Sequence, residues 1–222
     1  MSTVLVIGAS RGIGLEFVRQ YIEAGDRVIA TARDDDGLAR LRELGAEALR
    51  LDVAQPASVS ALSWQLDGEK LDVALYVAGI IHRASASSPP TQQAFDEVMH
   101  TNVLGAMQVI PQVLPMVEEA RGVFGALSSG MSQIGSVPGS GSWLYRVSKA
   151  ALNMAVSSAR FDYPRARLVA LDPGWVQTDM GGGGAPLSVQ ASVRGLRAVL
   201  ASVGPEDNGR LIRHDGRRAD HW

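Results

Sequence analysis

Tyr145 and Lys149 lie four residues apart in a segment whose pattern predicts a helix, so both side chains would project from one helical face. A cation near a phenol favours the phenolate and lowers the phenol pKa from its ordinary value of about 10. A phenol tuned in this way can act as a general acid or base. Lysine occurs only at Lys70 and Lys149, whereas arginine is abundant, and a compact ammonium differs from a planar guanidinium. Since the spacing alone also fits a chance pair on a solvated helix, its meaning depends on the rest of the chain.

A glycine-rich turn near the N-terminus is the second chemical signal. A strand-like run enters Gly8-Ala-Ser-Arg-Gly12-Ile-Gly14, and an apolar-periodic helix follows. Glycines permit a tight turn and close approach of a pyrophosphate, and a helix N-terminus offers free N–H groups to phosphate oxygens. The spacing is G-x-x-x-G-x-G rather than G-x-G-x-x-G, and a plain glycine-rich turn is the alternative. The predicted cofactor contacts here are Gly8, Ser10, Arg11, Gly12, Ile13 and Gly14.

Two arginines bear on the choice of cofactor. Arg11 lies inside the glycine-rich turn, and Arg33 lies at the end of the second predicted strand. An acidic residue at that strand end suits the ribose 2′-OH of NAD, whereas arginine suits a 2′-phosphate. The alternative is that both arginines are solvated surface charges, because the acidic run 34–36 follows at once. We therefore predict NADP(H) as the cofactor, with NAD(H) as the second choice.

The elements that must position these residues alternate between strand-like and helix-like segments along the whole chain. Buried strands that alternate with helices indicate an α/β fold, a single-domain doubly wound parallel sheet with helices on both faces. The seven predicted strands are Thr3–Ala9, Arg27–Arg33, Ala48–Val53, Asp72–Ala78, Val123–Ser128, Arg167–Leu171 and Arg210–Arg213. Ligands bind such sheets at the carboxyl ends of the strands. The residues that fall at those ends are Gly8, Arg33, Asp52, Gly79, Ser128, Ser129 and Pro173.

Composition narrows the class of protein. The chain has 222 residues, 46% of them hydrophobic and 20% charged, which predicts one NAD(P)-binding domain over residues 1–222. The net charge of −2 does not favour nucleic acid or an anionic membrane as a partner. The absence of cysteine excludes disulfides and thiolate metal sites, and the four histidines lack metal-ligand spacing, so no metal is expected. We expect a cytoplasmic protein with a mobile substrate loop at about 180–190.

Taken together, the motifs resemble the short-chain dehydrogenase/reductase family. The similarity runs in order from residue 3 to about residue 180. Its last two segments look most like the small carbonyl-reductase branch related to sniffer and C-factor proteins. The matching motifs are Gly8-x-x-x-Gly12-Ile-Gly14, Asp52-Val53, Ala78-Gly79, Asn102-Val103, the serines at 128–132, Tyr145-x-x-x-Lys149 and Asp172-Pro173-Gly174-Trp175-Val176-x-Thr178.

The resemblance implies a role for each matching residue. Tyr145 would exchange a proton with the substrate oxygen, while Lys149 would bind the nicotinamide ribose and lower the pKa of the tyrosine. A serine at the end of the fifth strand would bind the substrate carbonyl, and Asn102 would hold a water in the proton relay. Asp52 would contact the adenine, and Val176 and Thr178 would contact the carboxamide. The implied cofactor contacts beyond the glycine-rich turn are Arg33, Asp52, Val53, Ala78, Gly79, Tyr145, Lys149, Pro173, Gly174, Val176 and Thr178.

The chain departs from the family pattern at two places. Where the family often has Asn-Asn-Ala-Gly after the fourth strand, this chain has Tyr76-Val77-Ala78-Gly79, which lacks the amide that would form a stabilising hydrogen bond near the adenosine. The usual gap of thirteen residues before the tyrosine selects Ser132 as the catalytic serine, whereas the strand-end Ser-Ser motif selects Ser129. We favour Ser129 because site residues belong at strand ends.

The predicted function is NADPH-dependent reduction of a small carbonyl compound, an aldehyde or a ketone, to an alcohol. The alternatives are NAD(P)⁺-dependent oxidation of an alcohol at the same site and non-catalytic sensing of NADP(H). Relatives pair through helices that here would span about 94–120 and 145–160, which suggests a homodimer. The alternative is that these helices only pack on the sheet, since the resembled branch includes monomers.

Overall fold

Seven parallel strands form one sheet at the centre of the molecule. The computed structural model describes residues 1–219, so His221, one of the four histidines, lies outside the described part. The sheet order is β3-β2-β1-β4-β5-β6-β7, which confirms the predicted doubly wound fold class. The strands are β1 (Thr3–Ile7), β2 (Arg27–Ala32), β3 (Glu47–Arg50), β4 (Val73–Tyr76), β5 (Val123–Leu127), β6 (Arg167–Asp172) and β7 (Leu211–Arg213).

Helices cover both faces of the sheet. They are α1 (Gly12–Glu23), α2 (Asp35–Glu43), α3 (Pro56–Ser60), α4 (Leu62–Gln65), α5 (Gln92–Met99), α6 (Gly105–Ala120), α7 (Trp143–Ala159) and α8 (Val189–Ser202). Short 3₁₀ turns follow β5 at Gly130–Ser132 and Ile134–Ser136, and another precedes β7 at Pro205–Asp207. Within residues 1–219, no helix is long and apolar enough to cross a membrane.

Strand β1 shows why the core has two halves. Successive side chains of a strand point to opposite faces, and both faces of this strand are buried. Leu5 and Ile7 pack into the cluster under α6 and α7, which includes Val109 from α6. Val4 and Val6 pack into the cluster under α1, α2 and α8. A continuous apolar run, rather than an alternating one, is therefore what this central strand requires.

The chain runs from β1 outward to β2 and β3, and it then returns to place β4 on the other side of β1. Such a reversal of strand order opens a crevice at the carboxyl ends of the two strands. In register, Val6 of β1 lies beside Ala30 of β2 and Leu75 of β4, so the three strands end close together. The loops that follow them therefore face one another across the crevice.

The segment predicted as one helix over 94–120 is in fact interrupted. A π-helical turn at His100–Leu104 joins α5 to α6. π-Turns are rare and frequently lie at functional sites because the widened turn changes the direction of its side chains. This turn carries Asn102, and the periodicity of the sequence gave no sign of it.

Candidate active site

A cavity at the carboxyl edge of the sheet brings together most of the predicted cofactor contacts. Those that line it are Gly8, Ser10, Arg11, Gly12, Ile13, Gly14, Arg33, Asp52, Val53, Ala78, Gly79 and Thr178. The wall also includes residues that the sequence analysis did not single out, namely Ala32, Leu51, Val77, Ile80, Thr101, Leu127, Asp179 and Met180. The predicted contacts that do not line the cavity are Tyr145 and Lys149, which lie on α7, and Pro173, Gly174 and Val176, which lie in the loop after β6.

The glycine-rich turn is so close to its neighbours that side chains would not fit. Gly8 has φ +85°, and a Cβ there would lie 2.7 Å from the backbone of Ala78. A Cβ on Gly14 would lie 2.3 Å from the carbonyl oxygen of Gly8. The side chain of Arg11, the residue that precedes α1, makes no capping hydrogen bond to the helix. The first N–H groups of α1 therefore face the cavity edge as donors for an anion.

The two arginines occupy different environments. Arg33 is exposed at the end of β2, where it lines the cavity. Arg11 forms an ion pair of 3.3 Å with Asp179 across the cavity, and both side chains are more than two-thirds exposed, at 71% and 79%. An ion pair as exposed as this contributes little to stability. Arg11 can therefore exchange Asp179 for another anion at small cost.

The acidic run after Arg33 is largely engaged in local contacts. Asp34 caps α2, its carboxylate accepting a hydrogen bond of 2.7 Å from the backbone N–H of Gly37. Asp35 pairs with Arg50, which also donates a hydrogen bond of 2.7 Å to the carbonyl of Arg33. Arg50 therefore offsets part of the negative charge that could repel a phosphate at Arg33.

Tyr145 and Lys149 lie on the buried face of α7, with exposures of 7% and 3%. The Nζ atom of Lys149 lies 5.7 Å from the ring centre of Tyr145 and donates a hydrogen bond of 2.7 Å to the carbonyl of Leu127 at the end of β5. A Cβ on Gly79 would lie 3.3 Å from that Nζ atom, so the ammonium adjoins the cavity wall. Burial lowers the pKa of Lys149 to about 7.

The expected lowering of the Tyr145 pKa by Lys149 is wrong for this arrangement. Burial raises the pKa of Tyr145 to about 12, a hydrogen bond with Ser129 opposes the rise, and the charge of Asp172 adds to it. Loss of water around the phenol disfavours the phenolate more than the nearby groups favour it. Lys149 itself is desolvated, and its ammonium points at the Leu127 carbonyl.

The two candidate serines differ in their contacts. Ser129 is half-buried; its hydroxyl accepts a hydrogen bond of 3.1 Å from the N–H of Met131 and meets the hydroxyl of Tyr145. Ser132 is 2% exposed and donates its hydroxyl proton to the carbonyl of Ser129 at 2.6 Å. Asn153 occupies the remaining side of the Ser132 hydroxyl at 2.8 Å. These contacts favour Ser129 as the serine that faces a substrate.

Asn102 is fully buried and links the π-turn to the loop after β4. Its side-chain oxygen accepts a hydrogen bond of 2.8 Å from the N–H of Ile80, and its nitrogen donates to the carbonyl of Ile80 at 2.9 Å. The same nitrogen donates to the hydroxyl of Ser148, one residue before Lys149, at 2.9 Å. Asn102 thus fixes the loop that carries Gly79 against α7.

Tyr76, the first departure from the family pattern, has a structural explanation. Its side chain is completely buried, and its hydroxyl donates a hydrogen bond of 2.6 Å to the carbonyl of Thr101 inside the π-turn. Gly105 makes room for the phenol, since a Cβ there would lie 2.6 Å from the Tyr76 hydroxyl. Val77 packs at the edge of the apolar cluster under α1, α2 and α8. Tyr76 therefore supports the turn that carries Asn102.

The loop after β6 closes the other side of the cavity. Thr178 accepts a hydrogen bond of 3.0 Å from the N–H of Gly181, and the indole of Trp175 donates to the carbonyl of Gly181 at 2.8 Å. Arg83, from the loop after β4, donates to the carbonyl of Met180. The beginning of the predicted substrate loop is thus tied to the neighbouring wall, and its mobility stays a prediction.

The sheet is of the Rossmann type and carries a glycine-rich turn, and a buried Tyr–Lys pair lies beside a strand-end serine. Together these features define a nucleotide-dependent oxidoreductase of the short-chain class. The family model described as short chain dehydrogenase matches residues 2–184. The chain belongs to the short-chain dehydrogenase/reductase family, as its motifs predicted.

Individual relatives are similar along the whole chain. The 1-hydroxy-2-glutathionyl-2-methyl-3-butene dehydrogenase of Rhodococcus sp. (strain AD45) is 31% identical, over 97% of this chain and 98% of its own. The carbonyl reductase Sniffer of D. melanogaster has a TM-score of 0.92 at 26% identity, with 100% of both chains covered. An NADPH-bound carbonyl reductase from chicken fatty liver has a TM-score of 0.89 at 30% identity, covering 100% of this chain and 99% of the other.

Proposed function

We propose that this protein reduces a small aldehyde or ketone to an alcohol with NADPH. The observation that carries the proposal is that the Ser129 hydroxyl lies beside the phenol of Tyr145, close enough to oppose the rise of the phenol pKa, at the carboxyl end of β5. Two hydroxyls that lie side by side can both point at one carbonyl oxygen. Similar solved structures named carbonyl reductases, one of them NADPH-bound, support the same substrate class and cofactor.

The residues around the cavity fit a phosphorylated dinucleotide. The glycine-rich turn leaves space where side chains would clash, and α1 presents N–H groups for the pyrophosphate. Arg33 and Arg11 would hold the 2′-phosphate by charge-assisted hydrogen bonds. Asp52 would contact the adenine, and Thr178 the carboxamide. The cofactor supplies the hydride, and the protein positions and polarises the substrate.

Proton transfer is the part of the reaction that the side chains themselves perform. As hydride reaches the carbonyl carbon, negative charge builds on the oxygen, and the hydroxyls of Ser129 and Tyr145 stabilise it by donating hydrogen bonds. Tyr145 then gives its proton to that oxygen as a general acid. Burial raises the pKa of this phenol, so the phenol carries the proton that it would donate in the reductive direction.

Lys149 and Asn102 complete the proposed site from behind the tyrosine. Lys149 would bind the nicotinamide ribose, a role that its place beside Gly79 and the end of β5 permits. Asn102 would hold the loop after β4 and the water of the proton relay. Because burial lowers the pKa of Lys149 to about 7, this amine can release and regain a proton near neutral pH.

The test is a panel of small aldehydes and ketones with NADPH and with NADH, followed by the absorbance of the reduced nicotinamide. We expect turnover of at least one carbonyl compound. The rate should be higher, and the cofactor concentration that it requires lower, with NADPH than with NADH. Tyr145→Phe serves as the control for the site. Turnover of alcohols alone would replace the proposal by the oxidative direction, and NADPH binding without turnover of any compound would replace it by cofactor sensing.

We also propose a homodimer, formed through the outer faces of the helices after β4 and β5. Large apolar side chains lie exposed there, with Phe95 on α5, Met107 on α6 and Met154 on α7 at 41%, 54% and 65% exposure. Their burial against a second copy would remove apolar surface from water. Light scattering at micromolar concentration decides the matter, since a monomeric mass would refute the dimer.

A further inference from the structure

A chain of buried hydrogen bonds connects α7 to the end of β5, and Asn153 is at its centre. Asn153 is 1% exposed and lies one helical turn beyond Lys149, on the same face of α7. Its side-chain oxygen accepts a hydrogen bond of 2.5 Å from Ser128, and its nitrogen donates one of 2.8 Å to Ser132. Both serines are 2% exposed. One amide therefore joins the last residue before the catalytic serine to the 3₁₀ turn after it.

The direction of these bonds follows from the protons available. Ser132 has one hydroxyl proton, and it donates this proton to the carbonyl of Ser129 at 2.6 Å. The Ser132 oxygen can then only accept, so the amide nitrogen of Asn153 must face it. The amide oxygen faces Ser128, whose hydroxyl donates. An aspartate or a leucine of similar size could not satisfy both neighbours.

The chain ends at the backbone of Ser129. This residue lies between Ser128, whose N–H donates to the carbonyl of Leu171 at 2.7 Å, and the turn at Gly130–Ser132. Its own hydroxyl is turned toward Tyr145. The Ser132 hydroxyl thus holds the carbonyl of Ser129 on the core side, while the side chain of Ser129 faces Tyr145.

We propose that Asn153 is a positioning residue that fixes Ser129 for hydrogen bonding to the substrate oxygen. The inference rests on the proposed reductase function and deepens it. Donors to a developing oxyanion act only when their geometry is set before the reaction. A displacement of about 1 Å can cost about 100-fold in rate. The amide of Asn153 supplies this constraint through two serines that do not themselves touch substrate.

The first test compares Asn153→Leu with the wild-type enzyme on a carbonyl substrate. Leucine keeps the branched shape and the number of heavy atoms, and it removes both hydrogen bonds. We expect kcat to fall about 10- to 100-fold while the Kd for NADPH stays within about twofold. A matched control is Asn208→Ala, because Asn208 also uses its side chain structurally, accepting a hydrogen bond of 2.9 Å from the N–H of Leu168 in β6. This control should lower the unfolding temperature and leave kcat unchanged.

A double variant separates positioning from general support of the core. If Asn153 acts through Ser129, Asn153→Leu should cost no further rate once Ser129 has become alanine. Losses that multiply in Ser129→Ala/Asn153→Leu would overturn the proposal. Ser132→Ala breaks the same chain with a smaller change of volume, so it replaces Asn153→Leu should that variant fail to fold. We expect it to reduce kcat in the same way.

A spectroscopic readout keeps this inference distinct from the reductase function. The ¹³Cζ resonance of labelled Tyr145, assigned by its loss in Tyr145→Phe, senses the hydrogen bond to Ser129. Asn153→Leu should shift it in the same direction as Ser129→Ala, whereas Asn208→Ala should not. A shift without turnover on any carbonyl compound would refute the function and keep the positioning role. An unshifted resonance and an unchanged kcat in Asn153→Leu would refute the positioning role alone.

Discussion

The two ends of the cavity differ in how exposed their polar groups are and in how many hydrogen bonds those groups make within the protein. At the end where we propose that the cofactor phosphates bind, called the phosphate end below, the cavity is lined by the glycine-rich turn at the start of α1 and by exposed arginines. Arg11 illustrates this, since its only ion pair, among the described residues, is a 3.3 Å contact with Asp179 that lies mostly in solvent. Arg33 is likewise exposed at the end of its strand.

At the end proposed for catalysis, by contrast, five polar side chains are buried and each has a hydrogen-bond partner. Asn102, Ser128, Ser132, Lys149 and Asn153 are each 3% exposed or less. Their hydrogen bonds join segments that are more than twenty residues apart, such as Asn102 with Ser148 and Ser128 with Asn153. Low dielectric strengthens such bonds and makes an unpaired member costly.

The difference reflects what each end must do. A phosphate brings its own charge and binds groups that can exchange water or a weak ion pair for it, so exposure does no harm. Proton transfer needs a few atoms held in one geometry with water excluded, which requires a saturated buried network. Substitutions at the catalytic end should therefore change turnover, and those at the phosphate end should change affinity.

The largest expected effect is that of Tyr145→Phe. This change keeps the packing of the ring and removes the proton that reaches the substrate oxygen. General acid catalysis contributes about 10²–10⁴-fold, so kcat should fall by at least this order while the Kd for NADPH hardly changes. Steady-state kinetics and a cofactor titration measure the two quantities. A variant that keeps most of its turnover would exclude Tyr145 from the mechanism.

The next effect separates the two serines. Ser129→Ala removes a hydrogen-bond donor to the developing oxyanion, a loss that typically costs about 10²–10³-fold in kcat. Ser132→Ala removes only a bond to the carbonyl of Ser129 and should cost less. The same kinetic assay compares the two variants. The reverse ranking would show that the thirteen-residue gap to the tyrosine identifies the catalytic serine better than the strand end does.

At the phosphate end, Arg33→Ala should weaken NADPH and leave NADH nearly unchanged. Charge-assisted hydrogen bonds are worth about 1.5–3 kcal/mol, and about 1.4 kcal/mol corresponds to tenfold in affinity, so we expect a tenfold loss or more. Arg11→Ala should cost less, because Arg11 must first leave Asp179. Calorimetric or fluorescence titration with both cofactors provides the test. Equal losses of affinity for NADPH and NADH would mean that Arg33 is only a surface charge and does not contact the 2′-phosphate.

A separate expected effect is a pH dependence of the free energy of unfolding that belongs to Lys149. Its pKa is about 7 in the folded protein and 10.5 ordinarily, so between these values the unfolded chain binds more protons. Stability should therefore rise with pH in this window, by at most about 1.4 kcal/mol per pH unit, and be flat below it. Urea unfolding of wild type and Lys149→Met at pH 6, 7.5 and 9 isolates this contribution. A constant difference between the two proteins would mean that folded Lys149 keeps its proton.

Much of the architecture follows from local pattern. All seven predicted strands exist, and β1 over 3–7 is a continuous apolar run because it lies inside the sheet with helices on both faces. The ends are less certain: the third strand was predicted over 48–53 and is observed at Glu47–Arg50. The glycine-rich turn was also predictable, since positive φ at Gly8 and the close contact at Gly14 tolerate no side chain.

What the sequence could not determine depends on partners that are distant along the chain. The π-turn at His100–Leu104 is stabilised by Tyr76 and by the loop after β4, which no helical periodicity encodes. The pKa of Tyr145 rises because the fold removes water from the phenol, whereas its spacing from Lys149 alone predicted the opposite. Likewise, counting residues left Ser129 and Ser132 as alternatives, and only the packing of α7 against β5 showed which hydroxyl is engaged in the core.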